Sequence, residues 1–210
     1  MSSFFEILIQ NIIASTWLEI AAASFGLVSV WYAKKANILV YPTGIVSVLL
    51  YVYICQNAQL YADMGINAFY FIMSVYGWIM WKMKTIDKKE RQITFMNLNN
   101  YLVSILLFCC SVFIILFLLN YYKSDDVQYW ATKVPYVDTF TTAIFIIGMW
   151  LMAVKKVENW IFWIIGDVIS VPLYFYKGLV FTSLQFFIFL ILAVLGYIEW
   201  RKKAFDAQPD

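Results

Sequence analysis

The chain has 210 residues, 63% of them hydrophobic and 20% aromatic, with only 13% charged, a mean hydropathy of +0.75 and a formal net charge of +2. A soluble domain averages about half apolar and a quarter charged, so this balance excludes an ordinary water-soluble domain and predicts an integral membrane protein. Histidine is absent, which removes the usual proton shuttle and the commonest transition-metal ligand.

Taken in order, the apolar runs predict seven transmembrane helices. The first covers 17–33, the second 38–55 and the third 62–81. The first run has neither a basic lead nor a small-residue cleavage site, so no cleavable signal peptide is expected and the mature chain is expected to start at Met1. A basic connection, 82–100, leads to the fourth span at 101–120. A polar segment, 121–136, is followed by spans at 138–154, 159–176 and 179–200. The cysteines, Cys55, Cys109 and Cys110, have spacings that suit neither a disulfide framework nor a metal site and read as packing residues.

An odd number of spans puts the termini on opposite sides, and lysine and arginine choose the orientation. Twelve of the fifteen fall on one side: Lys34, Lys35, Lys82, Lys84, Lys88, Lys89, Arg91, Lys155, Lys156, Arg201, Lys202 and Lys203. Only Lys123, Lys133 and Lys177 fall on the other. This predicts a cytoplasmic C-terminus and an outer N-terminus. Glu6, Glu19, Asp63, Asp125, Asp126 and Asp138 then cluster on the outer side, as an acidic mouth that would concentrate cations or as ordinary solvated loop charge.

The chain also resembles itself. Lys34-Lys35-Ala-Asn37 recurs as Lys155-Lys156-Val-Glu-Asn159 with one insertion, and Tyr76-Gly77-Trp-Ile-Met-Trp81 recurs as Leu195-Gly196-Tyr-Ile-Glu-Trp200. Glu19 opens the first span and Asp138 the fifth. The expected organisation is a single membrane domain, 1–210, with three-helix units at 17–82 and 138–201 joined by a linker helix at 101–120. Helix 101–120 restores the orientation of the second unit, which is the pattern of parallel repeats in transporters.

Polar groups inside the spans carry the functional argument, because the bilayer offers them no water. Asp167 lies roughly 12 Å along a helix begun at Asn159, near the middle of a hydrocarbon core about 30 Å thick. A carboxylate there is costly and marks a functional site by default. Helical spacing puts Trp163, Asp167, Ser170 and Tyr174 on one face. The third span presents Asp63, Asn67, Tyr70, Ser74 and Trp78 on one face, and the seventh presents Thr182, Gln185 and Phe189. Together these faces predict a polar, aromatic-lined cavity at mid-depth; the alternative is that Asn67, Ser74 and Gln185 only bond helix to helix. Asp167 has no obvious cationic partner within the spans, so it is either protonated or balanced by its cargo. Trp163, one turn away, could stack on a cationic aromatic ring. Pro172 and Pro42 each remove a backbone hydrogen bond inside a predicted helix and are hinge candidates, with Trp78 as a gate residue. No phosphate loop, histidine-activated nucleophile or metal-ligand pair appears, so neither an enzyme nor a cofactor is expected, and no nucleic-acid partner.

Four stretches carry a resemblance to a known family: Trp17-Leu-Glu19, Gln59-Leu-Tyr-Ala62, Tyr76-Gly77-Trp-x-x-Trp81 and Val157-Glu-Asn159-Trp-x-x-Trp163. On these the chain resembles the Pnu family of bacterial vitamin transporters from Trp17 to Arg201. The resemblance implies seven helices in a 3+1+3 arrangement related to the sugar-transporting SWEET proteins. It also implies import of nicotinamide riboside, thiamine or riboflavin across the bacterial inner membrane by facilitated diffusion, with trapping by cytosolic phosphorylation. In the nicotinamide riboside branch the sixth-span pattern is tryptophan, three residues, then asparagine, both touching substrate. Here Trp163 matches and Asp167 replaces the asparagine, and Gly166 to Gly178 is similar to the thiamine branch. The expectation is a thiamine uniporter, with nicotinamide riboside, riboflavin or proton-coupled vitamin uptake as transport alternatives and a membrane receptor or scaffold as the rival outside transport. Trp163, Asp167, Ser170, Tyr174, Asn67, Tyr70, Ser74, Gln185 and Asn159 are the expected contacts. The sequence leaves oligomeric state, including a homo-oligomer, open.

Overall fold

The computed structural model describes residues 16–57, 61–83, 91–124 and 126–207, without the side chains of 61–63. Glu6, Asp125, three lysines of the basic loop (Lys84, Lys88 and Lys89) and the Asp63 carboxylate therefore lie outside the described residues.

The described chain is helical: α1 (Trp17–Lys34), α2 (Val40–Asn57), α3 (Tyr61–Lys82), α4 (Leu98–Lys123), α5 (Val127–Ala131), α6 (Val134–Ala153), α7 (Asn159–Tyr176) and α8 (Val180–Asp206). Seven of these are long, and α5 is a single short turn inside the segment expected to be polar and irregular. By length and composition α4, α6, α7 and α8 can each cross a membrane. The first three long helices are less uniformly apolar because Ser29, Ser47, Asn67 and Ser74 interrupt them.

Local chemistry fixes the ends. Thr16 and Glu19 form a reciprocal capping box that starts α1, and Asn97 and Asn100 do the same for α4. Helix α6 begins at Val134, four residues before the expected start at Asp138, because Pro135 sits in the first turn where its missing N–H is not needed. Helix α8 runs on past Trp200 through Arg201–Lys203 to Asp206. Pro42 is the third residue of α2 and breaks no intrahelical bond there, which removes the expected cause of a hinge; Pro172 is inside α7, as expected.

Helix α2 packs between α1 and α3, α7 packs between α6 and α8, and the two groups meet where α1 lies on α8 and α3 lies on α6. Helix α4 lies against α6. At the basic end these contacts close into a core of Tyr41, Trp81, Trp160 and Trp200 with smaller apolar residues. The Trp81 indole donates to Met152 O at 3.1 Å and the Trp200 indole donates to Ala33 O at 3.0 Å. Each bond runs from the last helix of one group to the end of the first helix of the other.

These bonds belong to a wider recurrence. After α1, Ala36 has φ 56° and its N–H donates to Ala33 O, and Asn37 N–H donates to Tyr32 O. After α6, Lys155 has φ 54° and donates to Met152 O, and Lys156 donates to Leu151 O. Every member is displaced by the same 119 positions, as from 36 to 155. The equivalent of Ala36 is thus Lys155, and that of Asn37 is Lys156. The expected pairing of Lys34-Lys35 with Lys155-Lys156 was two residues out of register, because it followed residue type where the backbone follows turn geometry.

The loop before α4 is tied to the α6–α7 turn. Thr94 exchanges backbone hydrogen bonds with Lys155 and Val157 at 3.1 and 3.0 Å, and the Glu158 carboxylate accepts from Met96 N–H. The Lys156 ammonium donates to Thr94 Oγ1 and Phe95 O. Burial, and secondarily Arg91, lower its pKa from the ordinary lysine value, while Glu158 opposes the shift.

Candidate functional site

A cavity of about 370 Å³ lies between the two helix groups, within the size range of small-molecule sites. Seven of the nine expected contacts line it: Asn67, Tyr70 and Ser74 from α3, Trp163, Asp167 and Tyr174 from α7, and Gln185 from α8. On α7 the members at i, i+4 and i+11 (Trp163, Asp167 and Tyr174) line it, and on α3 Asn67, Tyr70 and Ser74 do. The other two do not line it. Ser170 is buried with its hydroxyl unpartnered, behind the wall. Asn159 is fully buried and its amide donates to Lys156 O at 2.6 Å, so it secures the start of α7. Trp78 packs at the edge of the closed basic core beneath the Lys82 ammonium and is also off the cavity.

Asp167 is 2% exposed. Among the described residues the ion pairs are Lys177–Asp138 at 2.6 Å and Lys203–Glu199 at 2.9 Å, neither of them at the cavity. The carboxylate therefore faces the cavity wall with no ion-pairing cation from the described chain.

Beside it runs a stack of aromatic rings. Trp163 stacks on Phe145 at 5.3 Å between centroids, Phe145 on Phe186 at 6.0 Å, and Phe186 on Tyr174 at 4.9 Å. Interplanar angles of 27°, 14° and 14° keep the four rings nearly parallel. Small residues make room for them. A Cβ on Gly166 would run into the Phe145 ring, and one on Gly148 would come within 3.1 Å of the Trp163 indole. Phe145 and Phe186 were missed by the sequence reading because each sits among other phenylalanines and isoleucines with no polar marker. Ser29, Ser47 and Tyr51 were also missed, although they stand out as polar groups in otherwise apolar spans. Ser29 donates to Val40 O at 2.7 Å and Ser47 donates to Ala22 O at 2.8 Å, and both border the cavity. Tyr51 lines the cavity together with Gln185.

Of the six acids expected at an outer mouth, three belong to the described residues with their side chains, and each has a partner. Glu19 and Asp126 cap α1 and α5, and Asp138 is neutralised by Lys177. Of the cysteines, Cys55 is buried as expected, whereas Cys109 and Cys110 are exposed on α4 and are not core-packing residues.

An all-helical bundle with apolar helices and a cavity lined by aromatic rings, small residues and, among the described residues, one acid is the architecture of a membrane carrier for small molecules. The sequence pattern of the nicotinamide mononucleotide transporter family matches residues 16–202, and the chain belongs to that family of membrane transporters. It is 26% identical over 212 residues to the nicotinamide riboside transporter PnuC of Escherichia coli, covering 90% of this chain and 87% of that one. It is 25% identical to PnuC of Neisseria mucosa, over 89% of this chain and 73% of the relative. Similarity extends to the riboflavin/roseoflavin transporter RibM of Streptomyces davaonensis, at 22% identity over 99% and 94% of the two chains. The crystal structure of the vitamin B3 transporter PnuC has the same fold, with a TM-score of 0.69 at 21% identity over 98% of this chain and 91% of that one.

Proposed function

We propose that the chain is a facilitated-diffusion carrier for a cationic heteroaromatic vitamin. The observation that carries this reading is a buried carboxylate, Asp167, with no ion-pairing cation of its own, beside four parallel rings. A ligand that supplies both a flat π-system and a positive charge satisfies both at once. Nicotinamide riboside has a pyridinium ring and thiamine a thiazolium ring, so both meet the requirement. The names of the relatives support nicotinamide riboside. The aspartate, where the resemblance implies asparagine for the nicotinamide riboside branch, supports thiamine, whose aminopyrimidine can also donate to a carboxylate. Riboflavin has no fixed positive charge and fits Asp167 least well.

In this reading Trp163 and its stack hold the ring, Asp167 balances its charge, and Asn67, Ser74, Tyr70, Tyr174 and Gln185 complete the hydrogen bonds. The units 17–82 and 138–201 act as two repeats joined by α4, in a 3+1+3 arrangement, and rock about the cavity. Their recurring turns and crossed tryptophan bonds support that division. The basic end is cytoplasmic by the positive-inside rule, and parting of the Trp81–Met152 and Trp200–Ala33 bonds opens it.

The test is uptake of labelled nicotinamide riboside and thiamine by proteoliposomes, with and without an imposed proton gradient. Equilibrating uptake of at least one vitamin, unchanged by the gradient, is expected. Uptake of neither, or uptake only with the gradient, would defeat the proposal.

A further inference from the structure

We propose that the two units divide recognition of a single cargo: the second binds its flat cationic ring and the first binds its hydroxyl-bearing tail, so the cargo lies in the cavity in one fixed orientation. This rests on reading the cavity as the site of a cationic heteroaromatic vitamin.

The shift of 119 positions that relates the turns, as from 36 to 155, also relates the cavity walls. It maps Gly77 onto Gly196, and these glycines receive the rings of Tyr41 and Trp160, which are themselves related by the same shift. Nine cavity positions of the first unit have partners at this shift that also line the cavity. The two walls are thus built from equivalent backbone positions, and only the side chains distinguish them.

Those side chains differ in a consistent direction. Where the second unit supplies the rings Phe145 and Trp163, the first supplies Gly26 and Gly44. Ring substitution at 44 has no room, since even a Cβ there would meet Ser29 Oγ at 2.9 Å. Where the first unit supplies Asn67 and Ser74, the second supplies Phe186 and Ala193. The charge is one-sided as well, because Asp167 corresponds to Val48. At these positions the second wall offers π-faces and a carboxylate where the first offers glycine, an amide and a hydroxyl; elsewhere rings stand on both walls, Tyr70 opposite Phe189 and Tyr41 opposite Trp160, and the second wall also carries Gln185. Ser29 and Ser47 spend their protons on backbone carbonyls, so toward a ligand their oxygens are acceptors, suited to the O–H groups of a sugar or hydroxyethyl tail. A molecule with a cationic ring at one end and hydroxyls at the other matches this asymmetry in one orientation only. Turned round, it would put the hydroxyls against Phe145 and Phe186 and leave Asp167 unbalanced, and each unsatisfied polar group in such a site is costly.

The experiment measures equilibrium binding to the purified full-length protein of probes paired by their tails. Nicotinamide riboside is compared with 1-methylnicotinamide, methylated at the ring nitrogen, which keeps the cationic ring and lacks the sugar. Thiamine is compared with its analogue carrying hydrogen in place of the side-chain hydroxyl. Ser74→Ala should weaken the hydroxyl-bearing member of whichever pair binds by about five- to tenfold and its partner by less than about twofold. Phe186→Leu should weaken both members by the same factor. Equal losses for both members in Ser74→Ala, or a loss confined to the hydroxyl-bearing member in Phe186→Leu, would overturn the orientation. If Ser74→Ala cannot be purified folded, Asn67→Ala carries the same comparison. Wild-type protein that binds no probe defeats the parent reading and this one with it, whereas binding without the predicted contrast defeats the orientation alone.

Discussion

Helices α4 and α7 are both long and apolar enough to cross a membrane, yet they treat polar groups in opposite ways. In α4 the exposed residues include Leu102, Ile105, Leu106, Phe113 and Phe117, while the residues it buries are two serines, Ser104 and Ser111. Helix α7 exposes Ile161, Ile165 and Val168 and buries Asn159, Asp167 and Ser170 together with Trp160 and Gly166. Small hydroxyl residues are common where membrane helices pack, which is packing without recognition. In α7 the buried polar group is ionisable and borders a cavity, so its burial has a cost that packing alone does not offset. Length and apolarity admit both helices as spans; what each one buries tells their roles apart.

The largest effect should come from giving α4 what α7 has. Phe113 is 73% exposed, and Phe113→Asp would place an acid against lipid with no cavity behind it, at a cost of about 2.5–3.5 kcal/mol. The expected readout is a marked fall in folded protein recovered from membranes; normal recovery would show that Phe113 is not lipid-facing. Removing the ring from α7 comes next. Trp163→Ala should weaken vitamin binding by about 30- to 100-fold, through loss of stacking and of cation–π attraction, in calorimetry on the purified carrier. Gly166→Ala drives a methyl into Phe145, and overpacking of this kind costs about 1–3 kcal/mol, so the melting temperature should fall and the ring stack should bind less well. Asp167→Asn keeps the shape and removes the charge, and affinity for the cationic vitamin should drop by at least about tenfold, or 1.4 kcal/mol. At the small end, Leu106→Met on the exposed face of α4 should change neither stability nor uptake measurably. A clear loss there would mean that α4 touches something the fold does not contain.

The bounds of α7 could be read from sequence to the residue, because Asn159 and Gly178 frame a run whose only acid and proline lie inside it. Helix α6 began four residues early because Val134-Pro-Tyr in the first turn reads as loop when proline is treated only as a breaker. The α3 and α7 stripes brought six of the expected residues to the cavity and α8 brought Gln185, since helical periodicity decides which side chains share a face. The same periodicity could not tell that Ser170 stands behind the wall or that Asn159 serves a turn, because depth along a face depends on what packs opposite. Phe145 and Phe186 stayed hidden among equally apolar neighbours. Gly77/Gly196 and Trp81/Trp200 already stand 119 positions apart in the sequence, and the positive-φ residues Ala36 and Lys155 keep that same spacing, which the lysine pairs do not.

The central claim is that Asp167 and the Trp163 stack select positive charge on a flat ring. Its most direct test compares binding of nicotinamide riboside with that of its reduced dihydro form, nearly the same in shape but uncharged, to wild-type protein and to Asp167→Asn, with thiamine and a neutral thiazole analogue as the second pair. The account predicts that the wild type prefers the cation of at least one pair by about tenfold or more and that Asp167→Asn abolishes the preference. Equal affinity for the charged and neutral forms of both pairs in the wild type, or a preference that survives in Asp167→Asn, would contradict it.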